Sequence, residues 1–190
     1  MTQSPALSAY LVLQAENNAW SNMRLYDACA ALEPDAYFAK RPCFFGSIHD
    51  TLHHLLLVDH RYMERIEGRL PPDELPDDLP HGDLAAMTGS RRAADRRLIA
   101  LVRGIDEARL VEPVRIVDEA GEAWFDPLYR VLAHLFVHQV HHRGQVHDLL
   151  SQTAVAPPQL DEFFLSQDAP RRADEMRTLG LAGPGAAGRG

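Results

Sequence analysis

Apolar residues recur at helical spacing in four long stretches of the chain. In the first, Leu11, Ala15, Trp20, Leu25 and Leu32 fall near one side of a helix over residues 8–32, which Pro34 ends. Residues 35–45 carry Pro42 and read as a connector. Ser47 is suited to N-cap a second helix, because its side-chain oxygen can take an orphan backbone N–H, and Asp50 stands in the capping-box position. That helix runs to about Glu67, and Gly68 stops it. Asp83 caps a third helix over 84–103, closed by Gly104. Asp126-Pro127 reads as an N-cap followed by proline at the first helical position, opening a fourth helix that ends near Ser151.

The stretches between are polar or rich in breakers. Residues 69–83 hold Pro71, Pro72, Pro76 and Pro80, so they cannot form a helix interior and read as a long crossing loop between the second and third helices. Residues 110–125 flank a turn-like Glu-Ala-Gly-Glu with Val114, Ile116 and Ala123 to Phe125, which fits a short hairpin or an extended connector. After Pro157-Pro158, the segment 160–167 suggests a short final helical turn. Arg91, Arg92, Arg96 and Arg97 read as a solvated face of the third helix. The sum is an all-α four-helix bundle over residues 1–167 with a long crossover, followed by a flexible tail over 168–190 whose last eleven residues hold five of the twelve glycines.

At 190 residues, a single domain is expected. Lys and Arg number 19 against 27 Asp and Glu, a net charge of −8. A protein that grips phosphates needs a basic footprint, so nucleic-acid binding and docking on anionic lipid are both excluded as main roles. No run is long and apolar enough for a membrane helix, and the first residues lack the basic region of a signal peptide. With only Cys29 and Cys43, no disulfide framework is indicated, and a reducing cytoplasm is the expected compartment.

Ten histidines change the picture. His138 and His142 lie four apart, a net offset of about 40° on a helix, so both face one way and can chelate one ion. His134 continues that ladder, and His141 sits about 60° to the other side of His138. In the second helix His54 precedes the apolar run Leu55 to Val58 and is expected to face the core, with His53 at its edge. Antiparallel pairing of the two helices could bring His54 opposite His138 and His142. Three neutral imidazoles plus water would make a site with an open position, the pattern of catalytic ions. His60, His81 and His147 read as ordinary hydrogen-bonded or exposed residues.

Three segments fall in a telling order: Asn17-Asn18-Ala19-Trp20-Ser21-Asn22-Met23-Arg24-Leu25, then Ser47 through His53-His54 to Asp59, then His138-Gln139-Val140-His141-His142-Arg143-Gly144-Gln145. Together they resemble the DinB (damage-inducible) superfamily of metal-binding four-helix bundles, over about residues 8–166. The third segment is the most specific of the three. The resemblance implies that His54, His138 and His142 hold a divalent metal ion, nickel or zinc, and that the protein is a homodimer. His141 fills a position where other members carry tyrosine, so it is not an obligatory ligand. Val137 and Val140 replace an Asn and a Thr usual in the family. Arg143 could hold a carboxylate such as Asp59, Gly144 fits a close helix approach, and Gln145 could orient a ligand or water. Trp20, Tyr26, Tyr62, Trp124 and Phe125 could line a substrate pocket, although such residues are more often core.

Two classes of function follow. One is a metal-dependent enzyme. The resemblance implies either a thiol S-transferase, acting on a low-molecular-weight thiol such as glutathione, mycothiol or bacillithiol and a small-molecule electrophile, or a hydrolase. No Glu adjoins either ligand of the fourth helix, which tilts the reading toward transfer, although Asp50 or Asp59 could still supply a base. The other class is a non-enzymatic metal-binding stress protein, which a fourth protein ligand such as His134 would favour.

Overall fold

Four long amphipathic helices pair through their apolar faces in a computed structural model that describes residues 6–69, 83–117 and 121–183. In chain order the elements are α1 (Leu7–Ala30), α2 (Pro34–Phe38), α3 (Ile48–Ile66), α4 (Leu84–Arg103), α5 (Glu107–Leu110), β1 (Pro113–Val117), β2 (Ala123–Pro127), α6 (Leu128–Ser151), a 3-10 turn (Ser166–Asp168) and α7 (Ala169–Leu179). α1 packs on α4 and α6, and α3 packs on α6 and α4, which closes the bundle. Leu25, Leu52, Leu56, Leu98, Leu132 and Leu150 are wholly buried in the shared core, each contributing about 1.5–3 kcal/mol relative to exposure. No helix among the described residues is long and apolar enough to cross a membrane.

The helix ends follow local chemistry. Ser47 accepts from the Asp50 amide at 3.0 Å, and Asp83 accepts from the Ala85 amide at 2.8 Å. Gly68, with φ of +71°, turns the chain out of α3 in a left-handed conformation that costs other residues more. The expected N-cap at Asp126 is corrected. Asp126 and Pro127 are the last residues of β2, paired with Val114 and Pro113, and α6 begins at Leu128 without a side-chain cap. The strand claims this stretch because the Leu128 amide finds the Glu112 carbonyl at 3.0 Å, so no side-chain oxygen is needed there. The hairpin expected before the fourth helix is therefore an antiparallel pair, with the turn 118–120 outside the described residues. The crossing loop over 70–82 also lies outside them. α2 and α5 are too short to leave a periodic signal, and α2 falls largely in the stretch expected as a connector.

The segment expected as a flexible tail from 168 is instead helical over Ala169–Leu179. It docks on α1. Trp20, Met23, Phe163 and Met176 form a second apolar cluster, with the Trp20 and Phe163 rings 5.7 Å apart. Glu175 accepts from Trp20 Nε1 at 2.7 Å and from Arg24 Nε at 2.8 Å, while Arg24 lies 4.2 Å over the Trp20 ring. Its few apolar residues hide α7 from a periodicity reading. The contacts that hold it come from α1, some 150 positions earlier. Removing residues 169–190 is expected to cost about 2–4 kcal/mol, from lost burial of Met176 and uncovering of Trp20. Urea denaturation and a red shift of tryptophan emission would register the loss, and unchanged emission would refute the docking.

A buried polar network ties all four long helices together. Arg143 of α6 donates to Asn18 Oδ1, to Asn22 Oδ1 at 3.3 Å and to Gln139 Oε1 at 3.4 Å. Asn18 and Asn22 of α1 pass their amide protons to Asp95 Oδ1 of α4, at 3.3 and 3.0 Å. Gln139 passes its own to Asp59 Oδ1 of α3. Arg91 of α4 then sits between the two carboxylates, 2.7 Å from Asp59 Oδ2 and 2.9 Å from Asp95 Oδ1. Two guanidiniums thus balance two carboxylates away from water. This corrects two expectations. Arg91 is buried rather than part of a solvated face, and Arg97 is engaged by Glu64 and Glu67. Arg143 reaches Asp59 only through Gln139, because the three amides of α1 and α6 stand closer.

Candidate metal centre

α3 and α6 lie side by side, and α3 presents His54 to the His138–His142 face of α6. One ligand atom from each of the three histidines lies within 4.8 Å of the others. His54 Nε2 and His138 Nε2 are 3.1 Å apart. Ring centroids are separated by 5.2 Å for His54–His138, 4.8 Å for His54–His142 and 4.3 Å for His138–His142. A metal–nitrogen bond of about 2.1 Å places donors about 3.0 Å apart along an octahedral edge and about 3.4 Å along a tetrahedral edge. The observed spacing suits two ligands of one ion in either arrangement.

The electrostatics fit ligation as well. Burial, reinforced by the neighbouring His142, pushes the His54 pKa down to about 4. Burial and then His142 and His54 push His138 down to about 4, and burial lowers His142. All three rings are therefore neutral near pH 7, the form that offers a lone pair to a cation. The His142 tautomer follows from its partner. Its Nδ1 donates to Gln145 Oε1 at 2.7 Å, which leaves Nε2 free for an ion. Gln145 Nε2 in turn donates to His141 Nε2 at 3.2 Å. His138 Nδ1 is buried with no hydrogen-bond partner among the described residues. Phe45 stacks on His54 at 4.3 Å and meets His142 edge-on at 5.3 Å, so one side of the cluster is apolar.

These depressed values fix the sign of a pH effect. Between about pH 6.5 and 4 the unfolded chain binds protons that the folded rings refuse, so stability falls as pH is lowered through that window. The His54 and His138 rings keep some contact with solvent, whose screening makes the slope shallower than the full shift implies. Chemical denaturation of metal-free protein at pH 7 and pH 5 is expected to show this loss. Equal stability at the two pH values would contradict neutral, partly desolvated imidazoles.

The other histidines stand apart from the cluster. His134 receives the Tyr62 hydroxyl at Nδ1, at 2.5 Å. His141 is exposed. His49 bonds Asp50 at 2.9 Å and stacks with His53. Asp50 also meets Lys40 at 3.0 Å, so it turns away from His54 despite lying one helical turn before it. His60 and His147 are half-buried outside the cluster, and His81 lies outside the described residues. An added Cβ at Gly144 would meet nothing within 4 Å, which corrects the expected close helix approach. Trp20 and Tyr26 are core, whereas Trp124 and Phe125 lie exposed on β2. Phe45 and Gln139 escaped the sequence reading. Phe45 sits in a connector without periodicity, and Gln139 gains meaning only from Asp59 across the helix pair.

The profile of the DinB family matches residues 3–175, which takes in the bundle, the three histidines and most of α7. The chain belongs to the DinB family. It is 22% identical over 152 residues to Protein DinB of Bacillus subtilis (strain 168), a stretch covering 77% of this chain and 87% of that protein. The three family-like segments have a common physical division of labour. Each gives residues to the buried network: Asn18 and Asn22, Asp59, and Gln139 with Arg143. The second and third also give the histidines. The network holds α3 and α6 in register, and the histidine cluster lies beside it: His138 and His142 directly precede Gln139 and Arg143 on α6, and His54 stands five residues before Asp59 on α3.

Proposed function

We propose that this chain is a divalent-metal-dependent S-transferase, with nickel or zinc at His54, His138 and His142 and a low-molecular-weight thiol as one substrate. The observation that carries the reading is a cluster of three imidazoles with no fourth His, Cys, Asp or Glu donor joined to it among the described residues. His134, the obvious fourth ligand of a structural ion, is engaged by Tyr62 instead. Three protein ligands leave a coordination position for an exogenous group.

When bound, the ion supplies Lewis acidity that favours thiolate over thiol. The chain's own residues hold the geometry. Gln145 orients the His142 ring, and Phe45 excludes water from one side of His54 and His142. In the transfer the thiol sulfur bonds to an electrophilic carbon, the leaving group departs with its electron pair, and the thiol proton goes to solvent. Hydrolysis would need a base to activate water. Asp50 is taken by Lys40 and His49, and Asp59 is wholly buried beside Arg91 and Gln139. Both carboxylates singled out for that role are occupied, which favours transfer.

The same reading includes a homodimer in the cytoplasm. Tyr10, Val137 and Val140 expose an apolar strip on α1 and α6, the kind of patch that marks association. Cys29 and Cys43 are free thiols, in keeping with a reducing compartment.

The test compares zinc- or nickel-loaded protein with its His138→Ala variant. Each is given glutathione, mycothiol or bacillithiol and a chlorinated aromatic electrophile, and halide release is measured. At least about a tenfold excess over the variant with one thiol is expected. Equal rates with all three thiols would overturn the transferase reading, and metal-dependent ester cleavage without thiol would replace it with hydrolysis.

A further inference from the structure

Apart from the three imidazoles, a cavity of about 230 Å³ lies between α1, α4 and the end of α7. Met23, Ile99 and Leu179 give it apolar walls. One flank is strongly basic. Arg91, Arg92 and Arg96 of α4 all border it, against one carboxylate, Asp95. That is a local reversal in a chain of net charge −8.

The three arginines differ in what they have left to offer. Arg91 is buried and neutralised by Asp59 and Asp95. Arg92 and Arg96 are exposed and stand one helical turn apart, so they project together at the rim. Arg92 has only a 3.7 Å approach to exposed Asp27, and Arg96 pairs with no carboxylate among the described residues. The Tyr26 side chain also lines the cavity. Tyr26 is 2% exposed, and its oxygen has no hydrogen-bond partner among the described residues.

We propose that this cavity binds a small organic anion, with an apolar body of about eight carbons inside and a carboxylate at the Arg92–Arg96 rim. The apolar walls exclude a bare inorganic ion as the best occupant, and the paired guanidiniums select an anion over a neutral oil. The cavity shares no lining residue with the histidine cluster, so the site is separate from the metal centre.

Octanoate is the probe, with 1-octanol as its neutral counterpart. Zinc-loaded protein is titrated with each while the methyl resonances of Met23, Ile99 and Leu179 are followed by NMR. Saturable shifts of these methyls by millimolar octanoate are expected. The double variant Arg92→Gln/Arg96→Gln changes two exposed side chains and is expected to keep its melting temperature and zinc content. It should weaken octanoate by about fivefold or more while leaving octanol within about twofold. Failure of those methyls to saturate would overturn the proposal, as would equal octanoate affinity in the wild type and the double variant. Shifts centred on the histidine cluster would overturn it too.

Discussion

Alanine at His54, His138 or His142 is expected to strip the protein of its divalent ion, with affinity falling by at least about a hundredfold for each. The expectation rests on a chelate of three donors within 4.8 Å of one another, where the loss of one leaves two rings and no substitute among the described residues. Metal analysis of untagged protein and competition with a coloured chelator, for zinc and for nickel, would measure it. Two companion variants separate ligands from neighbours. Gln145→Ala removes the acceptor of His142 Nδ1–H and is expected to cost about 10–100-fold in affinity without abolishing binding. His141→Ala leaves all three ligands in place and is expected to change affinity little. Full metal occupancy in His54→Ala would refute the assignment of α3 to the site.

Asp59→Ala is expected to be among the most destabilising single changes in the chain, at about 3–5 kcal/mol, because it leaves the buried Arg91 guanidinium facing Asp95 alone. Gln139 also loses the acceptor for its amide proton. For a chain of this size the melting temperature should fall by about 10 °C or more. Urea denaturation of the metal-free protein isolates this cost from any change in metal affinity. The double variant Asp59→Asn/Arg91→Gln removes both charges while keeping polar groups in place, and it is expected to be more stable than Asp59→Ala. If Asp59→Ala unfolded at the wild-type urea concentration, the network would not be holding the bundle. Arg143 belongs to the same group. Burial pushes its pKa down to about 10, which still leaves it charged at neutral pH, and its three amide acceptors compensate the lost hydration.

The four helices and two of their caps were legible in the chain because they depend on neighbours a few residues away. Ser47 caps α3 and Asp83 caps α4 through contacts that span two or three positions. The His138–His142 pair was legible for the same reason, since a four-residue spacing on a helix fixes a common face before any packing occurs. Where that local reading failed, a distant group had intervened. The Glu112 carbonyl took the Leu128 amide and drew Asp126 into a strand. Trp20 and Arg24 gave α7 its partners, although its own sequence looked like the start of a tail.

The sequence by itself determined the helical segments, the donor chemistry and the shared face of His138 and His142. Only the tertiary structure decided that His54 lies against that pair, that Arg91 is buried rather than solvated, and that Arg143 reaches its carboxylates through amides. Periodicity specifies which way a side chain points from its own helix. Its partner depends on how two helices slide and cross, and that is set by the packing of the whole core.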